Sequence, residues 1–264
     1  MASVSWLSVA PVKGLALVRV DRLRLERFGA LVDRRFHLID AAGERLGLMR
    51  HGPLVQIRAE YDPDAERLAL HFPDGSTADG NVELGDAVTT DFYGRPVEGR
   101  IVDGPWAAPL SAYAGRPVRL VQTLEPGAGV DRHRGGVSML SEASLEELAR
   151  RSGRESVDER RFRMMIGLAG TAPHEEDEWL GRHVRVGEAL VSLRGPVGRC
   201  AITTQDPSTG VRDFDTLREI KNYRGVRDRE IDFGVYGEVV EAGEVRVGDD
   251  VAPLELGLFD SATG

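Results

Sequence analysis

The sequence predicts a mainly β protein with some α-helix, built from two units. Most of the first ~120 residues consist of short segments rich in β-branched and aromatic residues. Gly, Pro, Asn and Asp turn signals separate these segments, which is typical of strands joined by tight turns. Only two segments carry helix signals. Such spacing of short strands favours a β-barrel or a curled sheet for the first unit.

The individual elements follow from local patterns. Strands are predicted over residues 4–9, 16–25 and 35–40, and tight turns over 41–44, 61–64 and 72–75. Residues 106–114 suit a short helix that Gly115 ends. A second helix is predicted over 142–152, because Ser141 is a good N-cap and Gly153 a good stop signal. Farther along, strands are expected over 189–193, 236–240 and 245–251, with a loop at Gly195-Pro196 and a turn at Gly243.

A change of composition suggests the boundary between the units. Residues 122–136 hold four glycines, a proline and a run of charged residues. We therefore predict one domain over residues 1–122 and a second over residues 123–257. His133 lies in this segment; it suits a proton donor or, more simply, an exposed loop residue.

Composition limits the classes of function. The 264 residues carry 34 Lys and Arg against 43 Asp and Glu, a formal charge of -9, which argues against a nucleic-acid partner. A single cysteine rules out an intramolecular disulfide. The N-terminus has no basic stretch before an apolar run, and no apolar segment approaches the length of a membrane span. We expect a cytoplasmic protein with no membrane partner.

The richest stretch for chemistry surrounds that cysteine, Cys200. A predicted strand leads into it, Arg199 precedes it, and the strong turn signal of residues 206–210 follows it. A thiolate is a soft ligand that suits a sulfur-rich metal site. Taken alone, a single cysteine is more often a small buried apolar residue than a ligand. Spacing by itself therefore favours the structural interpretation.

The order of short motifs along the chain resembles the MOSC family, named for the C-terminal domain of molybdenum cofactor sulfurase. Within the family, it looks like the two-domain branch, which includes the mitochondrial amidoxime-reducing component. The motifs are Pro11-Val12-Lys13-Gly14, Asp33-Arg34, Arg50, residues 139–145, Arg161-Phe162-Arg163, residues 176–179, Arg199-Cys200, Thr203-Thr204, Asp206-Pro207, residues 222–224, Phe233-Gly234 and residues 247–249. The resemblance covers nearly the whole chain and overturns the structural interpretation of Cys200.

The resemblance implies a fold and a cofactor. The fold would be an N-terminal β-barrel-like domain followed by a C-terminal MOSC β-barrel domain. The cofactor would be molybdenum held by molybdopterin, with Cys200 as the protein's metal ligand and catalytic residue. The cofactor-binding residues would be Lys13, Gly14, Arg34, Arg163, Gly198 and Arg199. Lysine and arginine suit the terminal phosphate of the pterin, and a glycine allows close approach of the backbone.

Several roles stay open at this stage. Arg199 suits a carboxylate partner as well as the cofactor, and Thr203 and Thr204 suit a strand as well as hydrogen bonds near the metal. Residues 176–179 are expected to anchor a loop beside the pocket. The chain departs from the family at Met164-Met165, where Pro-Asn is usual, and at Gly198, where relatives often have Ser.

The resemblance also implies a reaction. The leading hypothesis is an oxidoreductase that reduces small N-hydroxylated compounds. No cluster-binding cysteine motif and no Gly-x-Gly-x-x-Gly motif after a strand is found, so electrons would come from a separate reductase. The alternative is a non-catalytic carrier of the molybdenum cofactor, or of sulfur on Cys200. A pyridoxal-phosphate enzyme lacks support, because Lys13 is better explained as a phosphate contact.

Overall fold

The structure is a computed structural model that describes residues 1–127, 130 and 136–254. Strands of the first half are β1 (Ala2–Val9), β2 (Val18–Val20), β3 (Arg22–Glu26), β4 (Gly29–Ala30), β5 (Phe36–Asp40), β6 (Arg58–Asp62), β7 (Arg67–His71), β8 (Thr77–Asn81), β9 (Glu83–Asp91), β10 (Pro96–Asp103) and β11 (Val118–Thr123). Strands of the second half are β12 (Val137–Ser141), β13 (Ile166–Ala169), β14 (His183–Val186), β15 (Ala189–Gly198), β16 (Asp232–Glu241), β17 (Gly243–Arg246) and β18 (Asp250–Pro253). The helices are α1 (Ala107–Ala114), α2 (Glu142–Ser152) and α3 (Thr216–Arg224), and 3-10 turns cover Gly52–Gln56, Glu159–Phe162, Glu175–Trp179 and Ala201–Thr204.

A closed seven-stranded β-barrel forms the centre of the second half. Its strands follow the order β13-β12-β16-β15-β14-β18-β1, and β1 closes the ring by pairing with both β18 and β13. Apolar side chains of β1, among them Val4 and Leu7, fill the barrel together with residues such as Ile166 and Val191. The mainly β fold with some α-helix is thus confirmed.

The rest of the first half surrounds a second core. A four-stranded antiparallel sheet, β5-β11-β10-β9, and a three-stranded one, β6-β7-β8, enclose Phe36, Leu70 and Trp106. A further small sheet joins β3 and β4 to β17 of the second half.

The sheets do not divide at residue 122. Both β1 and β3 lie in the first half, yet each pairs with strands of the second half. The predicted boundary between residues 122 and 123 therefore stays a prediction, and the first nine residues belong structurally to the C-terminal barrel.

Both predicted helices are present. The helix α2 has the predicted bounds: the Ser141 hydroxyl accepts a hydrogen bond from Ser144 N, and Gly153 takes a left-handed conformation at its end. The predicted loop at Gly195-Pro196 is wrong, because both residues lie inside β15. Register shifts on each side of them let the strand continue past the proline, which has no N–H to donate. The predicted turn at Gly243 is also wrong, since β17 begins there.

Within the described ranges, no helix has the length and apolar character needed to cross a membrane.

Candidate functional site

One cavity of about 1350 Å³ is lined by all seven residues that the sequence predicts to bind the cofactor and its metal. Both halves of the chain line it. The first half contributes residues between 13 and 50 and between 89 and 93, and the second half contributes residues between 136 and 165 and between 197 and 239. The predicted residues on its wall are Lys13, Gly14, Arg34, Arg163, Gly198, Arg199 and Cys200.

Barrel closure brings the two halves of this wall together. The strands β1 and β13 run antiparallel, with Leu7 opposite Ile166. The chain that leaves the end of β1 therefore lies beside the chain that enters β13. Lys13 follows β1 and Arg163 precedes β13, so residues 150 positions apart in sequence meet at one end of the barrel.

The cavity is positively charged although the chain as a whole is negative. Its described lining residues include eight lysines and arginines but only four aspartates and glutamates. This excess of four positive charges in a chain of formal charge -9 favours an anionic ligand.

Three of the cations form a cluster that we call the basic triad: Lys13, Arg34 and Arg163. Burial lowers the pKa of Lys13 well below its usual value, and the positive charges of Arg34 and Arg163 lower it further. Burial, followed by the charge of Arg34, lowers the pKa of Arg163 to about 9. Each shift reflects first the cost of burying a charge and then the closeness of like charges, and a bound anion would relieve both costs.

Backbone contacts fix the geometry of the triad. Arg34 forms an ion pair with Asp33, whose other carboxylate oxygen accepts a hydrogen bond from Ala10 N at 2.7 Å. The Arg34 guanidinium also donates to the carbonyl of Arg163 at 3.1 Å, and Arg163 donates to the carbonyl of Leu15 at 2.8 Å. These bonds join segments from three parts of the sequence.

Gly14 provides open backbone beside the triad. Its φ of +89° lies in the left-handed region, and a Cβ built there would meet no atom within 4 Å. The backbone conformation at position 14 therefore favours glycine, and the space in front of this backbone is open.

Cys200 is exposed and lies directly before the 3-10 turn Ala201–Thr204. Its carbonyl accepts hydrogen bonds from both the backbone N and the hydroxyl of Thr203, at 3.2 and 3.1 Å. Thr204 donates to the carbonyl of Ala201 at 2.7 Å. The two threonines therefore shape this turn and do not lie in a strand. A role in hydrogen bonds near the metal stays a prediction.

The loop after Cys200 is fastened to both halves of the chain. The buried Arg161 guanidinium donates to the Gln205 carbonyl at 2.9 Å and to both oxygens of Asp213 at 2.7 and 2.6 Å. The Gln205 amide donates to the carbonyl of Leu48 at 3.0 Å. The cysteine turn is thus held between the barrel and the segment 47–56.

A direct contact between two glycines brings these backbones together. A Cβ built on Gly52 would overlap the carbonyl of Gly210, and a Cβ on Gly210 would overlap the backbone of Gly52. Glycine at both positions allows the 3-10 turn of the first half to lie against the loop that follows the cysteine.

Arg199 contacts backbone carbonyls. Its guanidinium donates to the carbonyls of Phe233 and Phe162, at 2.8 and 2.9 Å, and to the sulfur of Met164 at 2.9 Å. Carbonyl groups therefore occupy several of its donors, where the sequence suggested a carboxylate or the cofactor. Arg199 ties the residue before the cysteine to two neighbouring elements.

The two departures from the family pattern also lie in the cavity wall. Met164 and Met165 are buried, and Met165 N donates a hydrogen bond to the Ser138 hydroxyl at 3.1 Å. A Cβ on Gly198 would lie 2.5 Å from a carboxylate oxygen of Glu230. A serine at that position would require Glu230 to move.

Residues 176–179 lie outside this wall. The buried Glu176 carboxylate accepts hydrogen bonds from Ser141 N and the Ser144 hydroxyl, at 3.2 and 3.1 Å, at the start of α2. Burial raises the pKa of Glu176. Asp177 pairs with Arg224. They anchor a loop, as expected, but against α2 and α3. His133 lies outside the described residues.

Two cavity residues, Arg45 and Tyr93, were not found from the sequence. The Arg45 guanidinium lies 4.1 Å from the centre of the Tyr93 ring and 5.3 Å from that of Phe92. Arg45 directly follows the turn over residues 41–44, where an exposed arginine is unremarkable. Nothing in the sequence distinguished it from the other arginines.

No group of three or more His, Cys, Asp and Glu side chains arranged to hold a metal occurs in the part of the chain that the structure describes. Cys200 is the only cysteine of the sequence.

Comparisons with known proteins agree with this architecture. A family model described as the MOSC N-terminal beta barrel domain matches residues 1–104, and one described as the MOSC domain matches residues 130–252. The mitochondrial amidoxime-reducing component 1 of Xenopus laevis is 25% identical over 282 residues, which cover 94% of this chain and 81% of that protein.

Two further relatives match over part of their own length. The molybdenum cofactor sulfurase of Drosophila grimshawi is 30% identical over 248 residues, covering 87% of this chain and 31% of that protein. The mitochondrial amidoxime-reducing component 1 of Mus musculus is 36% identical over 121 residues, covering 43% of this chain and 35% of that protein. The matched regions thus span about a third of these two relatives. With both family models matched in order along it, the chain belongs to the MOSC family.

Proposed function

We propose that this protein is a molybdenum-cofactor-dependent oxidoreductase that reduces small N-hydroxylated compounds, with Cys200 as the metal ligand. One observation carries the proposal: an exposed thiol and a half-buried basic triad line the same cavity. A thiolate suits molybdenum, and a lysine with two arginines suits the phosphate of a pterin.

The donor set of the cavity fits this cofactor. The basic triad would hold the phosphate, Gly14 would let the backbone approach it, and Cys200 would bind the metal. Gly198 and Arg199 would shape the wall beside the thiolate, with Arg199 acting through its bonds to the Phe162 and Phe233 carbonyls. When bound, the cofactor supplies the two-electron chemistry.

The overall reaction follows from the substrate class. An N-hydroxylated compound takes up two electrons and two protons, its N–O bond breaks, and an N–H compound and water are formed. A separate reductase would supply the electrons. The names of the relatives from Xenopus laevis and Mus musculus support this substrate class. We further propose a cytoplasmic location, with neither a nucleic acid nor a membrane as partner, and domains over residues 1–122 and 123–257.

A carrier of the cofactor, or of sulfur on Cys200, is the second candidate. The observation that favours it is the match to a molybdenum cofactor sulfurase over 87% of this chain. A sulfur carrier needs the thiol but no stoichiometric molybdenum. Metal content therefore separates sulfur transport from the proposed function, and turnover separates a cofactor carrier from an enzyme.

The first experiment measures molybdenum and pterin in protein purified from a host that makes the cofactor. We expect about one molybdenum per chain, strongly reduced in Cys200→Ala and partly retained in Cys200→Ser. Equal cofactor content in wild type and Cys200→Ala would contradict the assignment of the thiolate.

The second experiment tests the basic triad. Lys13→Ala, Arg34→Ala and Arg163→Ala should each lower cofactor content, because each removes a charge-assisted contact worth about 1.5–3 kcal/mol. Arg58→Ala is the matched control, since Arg58 is exposed on β6 and outside the cavity. Full occupancy in all three triad variants would remove the first half of the chain from the site.

The third experiment measures turnover of several N-hydroxylated compounds with a dithionite-reduced mediator dye. We expect reduction by the molybdenum-loaded protein. Loaded protein that reduces none of them, beside an active reductase of the same branch, would favour the carrier.

A further inference from the structure

The cavity wall carries cations outside the basic triad. The described lining residues carry an excess of four positive charges, of which the charge of Arg161 is paired with Asp213 outside the wall. Arg45 is the cation of the wall whose surroundings best suit a second anion.

Arg45 is held by aromatic rings and leaves its N–H groups available. Its guanidinium lies against the rings of Tyr93 and Phe92. Among the residues that the structure describes, no carboxylate forms an ion pair with it. Stacking on an aromatic face fixes a guanidinium in place without using its hydrogen-bond donors.

Tyr93 shows the features of a residue retained for a ligand. Its φ of +59° lies in the left-handed region, which is unfavourable for a bulky side chain, and 65% of its surface is exposed. The positive φ belongs to the hairpin turn Tyr93-Gly94, and the exposed ring gains little from packing. Its place on the cavity wall beside Arg45 provides a use for the ring.

Arg45 lies close to the basic triad and beside an exposed ring. Lys13 lies 6.0 Å from the centre of the Phe92 ring, on which Arg45 also lies. Burial lowers the pKa of Lys13, and the charges of Arg34, Arg163 and Arg45 lower it further. Arg45 is half-buried, like the three triad cations, whereas Tyr93 is exposed. A ligand that contacts the exposed Tyr93 ring therefore lies beside Arg45.

We propose that Arg45 and Tyr93 form a subsite that selects substrates with an acidic group on a planar ring. The Arg45 guanidinium would bind a carboxylate, and the Tyr93 ring would contact the planar part of the substrate. This inference rests on the proposed function and names the substrate class within it. Arg45 and Tyr93 are specificity-determining residues in this proposal.

The test compares a neutral ligand with its anionic counterpart on the purified holoprotein. Calorimetry measures the binding of benzoate and of benzamide, and steady-state kinetics measures kcat/KM for benzamidoxime and 4-carboxybenzamidoxime. In wild type we expect the anion of each pair to be favoured about tenfold, as for one charge-assisted hydrogen bond. Arg45→Gln should abolish this preference.

Arg95→Gln is the matched control. Arg95 lies two residues after Tyr93 in the same hairpin but not on the cavity wall, so the same charge is lost near the site. It should keep the tenfold preference. Tyr93→Gly should weaken the binding of both benzoate and benzamide, while the melting temperature stays the same or rises, because glycine tolerates the positive φ.

The outcomes separate this inference from the proposed function. The subsite would be overturned, even in active, molybdenum-loaded protein, if the wild type showed no preference for the anionic ligand. It would also be overturned if Arg45→Gln and Arg95→Gln lost this preference equally. Protein that contains no molybdenum would refute the proposed function, and benzoate binding would still decide on the subsite.

Discussion

Two arginines of the Arg161-Phe162-Arg163 motif are expected to respond in opposite ways to the same substitution. Both line the cavity. The Arg161 guanidinium is bonded to Gln205 and Asp213, whereas Arg163 lies with the other triad cations. Methionine keeps an unbranched apolar stem at both positions and removes the charged guanidinium. Arg161→Met and Arg163→Met therefore separate a structural arginine from one proposed to bind the cofactor.

Arg161→Met should strongly destabilise the protein. The Arg161 side chain is 5% exposed, and its loss leaves the Gln205 carbonyl and both Asp213 oxygens without their donors. Removing one partner of a buried ion pair costs about 3–5 kcal/mol. Asp213 is 37% exposed and regains some hydration. We therefore expect the lower end, about 3 kcal/mol.

Arg163→Met should leave the stability of the cofactor-free protein nearly unchanged. Burial, followed by Arg34, lowers the pKa of Arg163 well below its usual value, to about 9, which corresponds to at most about 5 kcal/mol of unfavourable free energy. Water in the open cavity screens this, and we take roughly half. The lost hydrogen bond to the Leu15 carbonyl costs about 1.5–3 kcal/mol. The two effects nearly cancel, leaving a change within about 1 kcal/mol.

Urea unfolding of protein from a host that does not make the cofactor measures the stability of the cofactor-free protein. The pterin content of protein from a host that makes the cofactor measures cofactor binding. We expect a large loss of stability in Arg161→Met, and a large loss of cofactor with near-normal stability in Arg163→Met. Arg150→Met, at an exposed position of α2, is the control for both. If Arg163→Met is destabilised as much as Arg161→Met, or keeps its cofactor, the reasoning is refuted.

Two other perturbations follow from the geometry. Gly52→Ala should lower the free energy of unfolding in urea by about 1–3 kcal/mol, because its Cβ would overlap the Gly210 carbonyl. Gly47→Ala is the control, because a Cβ there meets nothing within 4 Å. Equal stability of the two variants would contradict the close contact. Burial, with the nearby positive charges, lowers the pKa of His37 to about 3, so below pH 6.5 the unfolded state binds more protons than the folded state. Stability should therefore fall between pH 6.5 and 3, by roughly 4 kcal/mol from this residue, and His37→Gln should fall less steeply over that range.

Local signals predicted the elements that depend on local chemistry. The helix α2 has its predicted bounds because Ser141 and Gly153 satisfy its ends through their own chemistry. The helix α1 begins one residue after its predicted start. Helix α3 was missed because its buried face is small: only Thr216 and Ile220 are buried.

Elements that depend on distant partners were predicted less well. The continuation of β15 through Gly195 and Pro196 depends on bulges against β16, and a single strand shows no sign of them. The pairing of β1 with β13 and β18 joins residues more than 150 positions apart. Hydrophobic alternation identifies a strand but does not determine its neighbours.

In the candidate site too, some residues were predicted from the sequence and others were not. The triad and Cys200 were identified from motifs, and the structure brings them to one cavity. Whether they bind the cofactor stays a proposal. Arg45 could not be selected from the sequence, because its distinguishing feature is the absence of an ion-pair partner among the described residues, together with its contact with Tyr93.

Barrel closure gives a physical reason why the first strand and the phosphate-binding residues proposed here lie together. Like charges at Lys13, Arg34 and Arg163 repel one another, so the chain must hold them by other means. The antiparallel pairing of β1 with β13 provides the rigid part, and the bonds from Arg34 and Arg163 to backbone carbonyls provide the rest. The free energy of the barrel core thus offsets the repulsion within the triad. The site is a product of both halves, since neither half alone contains the strand pairing that assembles it.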